Sequence, residues 1–190
     1  DFSNSGLGDM FLKARVGIIP WTKDKHGLAA LAGVRFPTGV DDDPDHNWNN
    51  TGDGTTDYLL GGIFSTAWMR DFRGHLKAYY WLNGENSDTN VKPGGEVQFI
   101  AKLDRNFSKK IFGFLTYVYV NQAETELNGS NLANTDKFRH TMVAGITYKP
   151  RPGMFFRPKI SIPVGGEIGR NFSWLPKVDF WYEFPLKKPA

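Results

Sequence analysis

Four carboxylates and an imidazole crowd the stretch "VDDDPDHNW": Asp41, Asp42, Asp43, Asp45 and His46. Calcium takes roughly six to eight oxygen ligands, so such a cluster is the first place to look for a hard divalent cation. The spacing is not that of an EF-hand loop, and no glutamate stands where its bidentate ligand would be. The sequence therefore reads here as an acidic, solvated loop, with Asp41, Asp43 and Asp45 kept as weak metal candidates. Nucleophilic chemistry needs a hydroxyl within reach of a base. The histidines are His26, His46, His75 and His140, and Ser65 comes near His75 only if their segments pair. Glu124 and Glu126 fall in a polar loop that solvates both. "GGEIG" at 165–169 lacks the helix and the Gly-Lys-Ser/Thr ending of a phosphate loop. With no assembled constellation, the expectation is a protein that is not an enzyme and carries no cofactor.

Composition sets the frame in which these residues sit. The chain has 190 residues, a length for one domain or one large barrel, and a net charge of +3. That balance is too mild, and too free of Lys/Arg blocks, to imply nucleic acid. There is no cysteine, which excludes disulfides, thiolate metal sites and cysteine nucleophiles. No apolar run approaches the roughly 18 residues of a transmembrane helix.

Hydropathy alternates with a period of two, the signature of strands. In "EVQFIAKLD", Val97, Phe99, Ala101 and Leu103 oppose Glu96, Gln98, Lys102 and Asp104. In "HLKAYYWL", Leu76, Ala78, Tyr80 and Leu82 oppose His75, Lys77, Tyr79 and Trp81. "KFRHTMVAGITYK" and "KVDFWYEF" repeat the pattern, whereas "DYLLGGIFSTAW" and "KIFGFLTYVYV" are mixed. About nine strands are predicted, at roughly 7–20, 27–38, 56–69, 75–84, 95–105, 110–121, 137–149, 154–164 and 176–186.

The connections between them alternate in length without exception. "TKDKH", "RDFRG", "NFSK" and "PRPG" are short; "VDDDPDHNWNNTGDGT", "ENSDTNVKPGG", "QAETELNGSNLANTD" and "GGEIGRNFSWLP" are long. Bacterial outer-membrane barrels alternate in this way, with short periplasmic turns and longer extracellular loops. The predicted fold is an all-β, antiparallel transmembrane barrel in the outer membrane of a Gram-negative bacterium. Its apolar row meets lipid, and its charged row lines a wet lumen. On that row fall Asp9, Lys13, Arg15, Arg35, Lys77, Glu96, Gln98, Lys102, Asp104, Arg139, Lys149, Arg157, Lys159, Asp179 and Glu183. Trp21, Trp68, Trp81, Tyr148, Trp174 and Tyr182 lie near strand ends, where an aromatic girdle belongs. His140 falls on the apolar row in an interfacial packing role. A soluble ligand-binding barrel predicts the same periodicity but gives no reason for the loop alternation.

Nine is an odd number, whereas single-chain bacterial barrels have an even one. An open edge in lipid leaves backbone groups without partners. Residues 1–190 are thus expected to form one barrel domain lacking its N-terminal strands, closed by further strands or by another chain.

Two short motifs carry a resemblance. "SGLGDMFLKARVG" has Gly6, Leu7, Gly8 and Asp9 opening a strand, and "LAALAGVRFPTGVDD" has Pro37, Thr38 and Gly39 closing the next. They resemble the outer-membrane transporter proteins of the meta-pathway phenol degradation family. The resemblance implies roughly a dozen antiparallel strands, about three of them upstream of the G-L-G-D strand, and passage of hydrophobic or aromatic compounds. The stretch "VDFWYEF", ending at Phe184, resembles the barrel assembly signal, but "PLKKPA" follows it.

Two classes of function follow. The first is an outer-membrane channel or uptake protein for small molecules, with nine basic against five acidic residues on the lumen row and hence an anion preference. The second is a structural barrel that docks or sheathes another protein, such as an electron carrier or a surface filament. Its partners would be outer-membrane lipid, a small solute, and a protein at the extracellular loops or completing the barrel.

Overall fold

The computed structural model describes residues 8–20, 26–39, 54–69, 71–166 and 174–183. Its strands in chain order begin with β1 (Met10–Ile19), β2 (Gly27–Phe36), β3 (Asp57–Met69) and β4 (Phe72–Leu82). After the two-residue β5 (Val91–Lys92) come β6 (Glu96–Asn106) and β7 (Ile111–Gln122). Two more short pieces, β8 (Glu126–Leu127) and β9 (Ser130–Asn131), precede β10 (Lys137–Tyr148), β11 (Met154–Gly166) and β12 (Leu175–Tyr182). No helix occurs among the described residues.

The nine long strands form one antiparallel sheet in the order β1-β2-β3-β4-β6-β7-β10-β11-β12. Each long strand pairs with the next long strand in the chain, so all short connections lie at one end and all long ones at the other. The sheet does not close: β1 and β12 are its two edges. The alternating segments predict all nine of these strands. The bounds shift by a few residues at some ends: β12 ends at Tyr182 rather than at 186, and β4 starts at Phe72 rather than at 75. Gly74 is interior to that strand, and a Cβ there would touch Thr66 Cγ2 at 3.4 Å. A glycine that looks like punctuation is a packing position.

The two faces of the sheet are not equally covered. Leu76, Phe99, Ile146 and Val178 on the apolar face are 57%, 50%, 49% and 62% exposed. Lys102, Asp104 and Lys159 on the charged face have side chains only 27%, 21% and 23% exposed. A water-soluble protein buries its apolar residues and exposes its charges. Here the order is reversed, and the long apolar side chains are left without a covering layer.

Parts of the charged face are filled by rings and aliphatic groups. Leu31 and Leu59 are buried there. The Phe11 ring lies over Gly33 and Tyr79 over Gly61, where a Cβ would meet Tyr79 Cδ1 and the Ala78 carbonyl oxygen both at 2.5 Å. Glycine in mid-strand allows this close approach of ring to backbone.

At the long-loop end, β5, β8 and β9 form a second, three-stranded sheet that joins two neighbouring loops. Asn128 and Gly129, with φ of 51° and 74°, make the two-residue turn between β8 and β9. Positive φ at both positions is what a type I′ hairpin turn requires, and Asn-Gly is its preferred pair. This small sheet has no periodicity long enough to read in the sequence.

Candidate functional site

The antiparallel register makes the charged face one continuous surface. Arg15, Leu31, Gly61, Tyr79, Gln98, Val120 and Arg139 are successive cross-strand partners from β1 to β10. Period-2 alternation places Lys13, Arg35, Lys77, Glu96, Lys102, Asp104, Arg157, Lys159 and Asp179 on the same face. Asp9, Lys149 and Glu183 flank β1, β10 and β12 in the same phase. Asp57 and Arg73 share this face and escape the sequence reading. Asp57 opens a strand whose hydropathy is mixed, and Arg73 lies before the expected start of β4. Asp41, Asp43 and Asp45, with Asp42 and His46, lie outside the described residues. So do Gly6, Leu7, Trp21 and Phe184. Among the described residues no group of His, Asp and Glu is arranged to hold a metal ion.

Three polar clusters occupy the face. At the long-loop end, Arg35 Nε donates to Asp57 Oδ2 at 2.5 Å. Asp57 is fully buried, and its other oxygen accepts from Thr55 Oγ1 at 2.8 Å and from the Gly84 N–H at 2.9 Å. The Arg35 guanidinium also lies 5.7 Å from the centre of the Trp81 ring, which packs on Phe11 at 5.3 Å. Trp81 is therefore part of this cluster on the charged face and not of an aromatic girdle.

Nearer the short-turn end, Ser65 and His75 face each other across β3 and β4, with Ser65 Oγ 2.8 Å from His75 Nδ1. His75 Nε2 lies 3.3 Å from Asp104 Oδ2. Asp104 accepts from Lys102 Nζ at 2.7 Å on Oδ1 and at 2.9 Å on Oδ2. The serine, imidazole and carboxylate resemble a nucleophile relay in their order alone. Ser65 sits in mid-ladder, paired with both Gly27 and His75, so the nearby N–H groups hold the sheet together. Around this chain of contacts opens a cavity of about 610 Å³, lined by Arg15, Arg73, Lys77 and Lys102 with Ser65 and His75.

On β11 and β12, Lys159 Nζ donates to Asp179 Oδ2 at 2.6 Å. Arg157 donates to Thr147 Oγ1 at 2.9 Å and lies 4.5 Å from the Trp181 ring centre and 5.3 Å from that of Phe114. Its charge is met by ring faces, an attraction worth about 0.5–2 kcal/mol.

The short glycine motifs prove to be two sides of one clasp. Asp9 Oδ1 accepts the Gly39 N–H at 3.0 Å, and Thr38 Oγ1 accepts the Met10 N–H at 2.7 Å. The clasp joins the start of β1 to the end of β2. A sequence family profile described as "Putative MetA-pathway of phenol degradation" matches residues 1–169. The chain belongs to this family. The match takes in the clasp and every strand up to β11, the full Arg35–Asp57 and Ser65–His75–Asp104 clusters included. Comparison with curated proteins finds no match.

One further expectation changes, at Glu126. Glu126 is not merely solvated: it pairs with Lys92 at 3.2 Å and ties β8 to β5. His140 lies on the apolar face, where its Nδ1 meets the Tyr117 hydroxyl and its ring packs 4.9 Å from that of Tyr119. Like the Ser65–His75 contact, this pair comes from strands that the sequence does not align by itself.

Proposed function

We propose that this protein is an outer-membrane β-barrel that passes small molecules, hydrophobic or aromatic compounds among them, through a mildly basic lumen. The observation that carries this reading is the reversed coverage of the two faces. An apolar row as exposed as Leu12, at 67%, and Val178, at 62%, needs a non-aqueous neighbour. Lipid is the one that also suits the loop alternation. On β10 the apolar row runs from Phe138 to Tyr148, ten steps of about 3.4 Å or about 34 Å along the strand. A tilt of about 40° shortens this to about 26 Å, the height of the apolar band of such barrels. Aromatic residues at both ends of that row match the interfacial girdles.

In lipid the free edges of β1 and β12 would need partners, so further strands, from this chain or another, complete the ring. The lumen residues are those of the charged face. Among the described residues Arg35, Lys102 and Lys159 are each paired with a carboxylate, whereas Lys13, Arg15, Arg73, Lys77, Arg139, Lys149 and Arg157 are in no such pair and would give the passage its anion preference. The role is transport without catalysis, and the family's description, which names phenol degradation, supports an aromatic solute.

Planar-bilayer conductance of the full-length protein tests this reading. A stable unit conductance, with a reversal potential in a salt gradient that favours anions, is the expected result. An inserted barrel that carries no current and transports no aromatic solute would contradict it. The alternative, a docking scaffold, has one observation in its favour, the ordered platform of β5, β8 and β9 at the long-loop end.

A further inference from the structure

We infer that the cavity between Arg15, Arg73, Lys77 and Lys102 is a binding station for a small organic carboxylate, an inference that rests on the charged face lining the solute path. Four fixed cations converge on one space of about 610 Å³. Among the described residues the one carboxylate in contact with them is Asp104, and it is already committed. Both of its oxygens accept from Lys102, and His75 takes a share of Oδ2. Arg73 stands directly opposite Asp104 in the β4–β6 register, yet the carboxylate turns to Lys102 instead. Among the described residues Arg15, Arg73 and Lys77 make no ion pair. Four cations less one carboxylate leave, among the described residues, three positive charges facing the cavity.

Like charges gathered in a cleft with low-dielectric walls focus the field and draw in an anion of matching size. Two guanidinium groups favour a planar carboxylate, which they can hold through paired N–H donors. The part of the wall formed by Ala29 and Ile63, which lie between Gly17 and Lys77 in the strand register, is apolar. A bare inorganic ion would leave that wall against water, whereas the body of an organic acid would cover it. The chemistry therefore selects a carboxylate on an apolar frame, of which benzoate is the simplest aromatic case. Ser65, held by His75 at 2.8 Å, adds a neutral hydroxyl at the rim.

Calorimetric titration of the folded full-length protein in detergent with benzoate tests the assignment without requiring an open pore. Saturable benzoate binding is expected, with cyclohexanecarboxylate close to it and benzamide, the neutral isostere, weaker by about tenfold or more. Arg73→Gln with Lys77→Gln should weaken benzoate by about tenfold or more, and Arg73→Gln alone, an exposed position in no ion pair, by a smaller factor. Lys109→Gln, in an exposed short turn, should leave binding unchanged. Three results would overturn the inference: no saturable benzoate binding to folded protein, equal binding of benzamide, or a double variant that binds as well as the parent. Tighter binding of inorganic phosphate than of benzoate would overturn the choice of a carboxylate. Benzoate binding by a protein that conducts nothing would sink the channel and leave the station standing. Conductance without benzoate binding would do the reverse.

Discussion

Arg35 and Asp57 oppose each other in the β2–β3 register, and the guanidinium Nε donates to the carboxylate at 2.5 Å. The two partners are not equally sheltered: the Arg35 side chain is 33% exposed and that of Asp57 is 0% exposed. Removing the arginine strands a buried carboxylate, whereas removing the carboxylate's charge leaves a guanidinium that can reach water. Breaking a buried pair typically costs about 3–5 kcal/mol. Arg35→Gln should therefore destabilise the protein by about 3 kcal/mol, and Asp57→Asn, which keeps the shape and some of the hydrogen bonds, by less. The double variant should cost less than the sum of the two. Urea unfolding in detergent measures all three, and an equal or opposite ranking of the single variants would contradict the account.

Neighbouring glycines on opposite faces of β3 should behave differently. A Cβ at Gly61 would stand 2.5 Å from the Ala78 carbonyl oxygen, a backbone atom that cannot swing aside, whereas at Gly62 the nearest atom is 3.9 Å away. Gly61→Ala is expected to cost about 1–3 kcal/mol. Gly62→Ala should be close to neutral. Thermal unfolding followed by heat-modifiable gel mobility would separate them.

The Lys92–Glu126 pair should matter little. Its side chains are 42% and 37% exposed, so solvent screens the attraction. Glu126→Gln is expected to change stability by about 1 kcal/mol or less, against about 3 kcal/mol for Arg35→Gln. The same unfolding assay decides.

Ser65 should be inert as a nucleophile despite its 2.8 Å contact with His75. A fluorophosphonate probe is expected to leave the protein unlabelled. Labelling that disappears in Ser65→Ala would make this a hydrolase.

Strand number, direction and facing were legible because alternation survives wherever one row is apolar and the other polar, as in Glu96–Asp104. The same rule set nearly the whole charged row. What escaped depended on contacts between segments far apart in the chain. Asp57 looks like part of a turn until Arg35 is laid beside it. Ser65 and His75 need the β3–β4 register before they meet, and Trp81 reads as a girdle residue until Phe11 and Arg35 claim its ring. β5, β8 and β9 are too short for any period to register, and only the Asn128–Gly129 pair marks them.

The central claim is that the apolar row faces lipid and the charged row faces water, and the chain itself offers a clean test, having no cysteine. Single cysteines placed in turn at His75, Leu76, Lys77, Ala78, Tyr79 and Tyr80 of β4 in the membrane-inserted protein would each be the only one within these 190 residues. A membrane-impermeant maleimide should label positions 75, 77 and 79 and spare 76, 78 and 80. A fluorophore at the latter three should be quenched by brominated lipid. Labelling of 76, 78 and 80 in preference to their neighbours, or no alternation at all, would contradict the account.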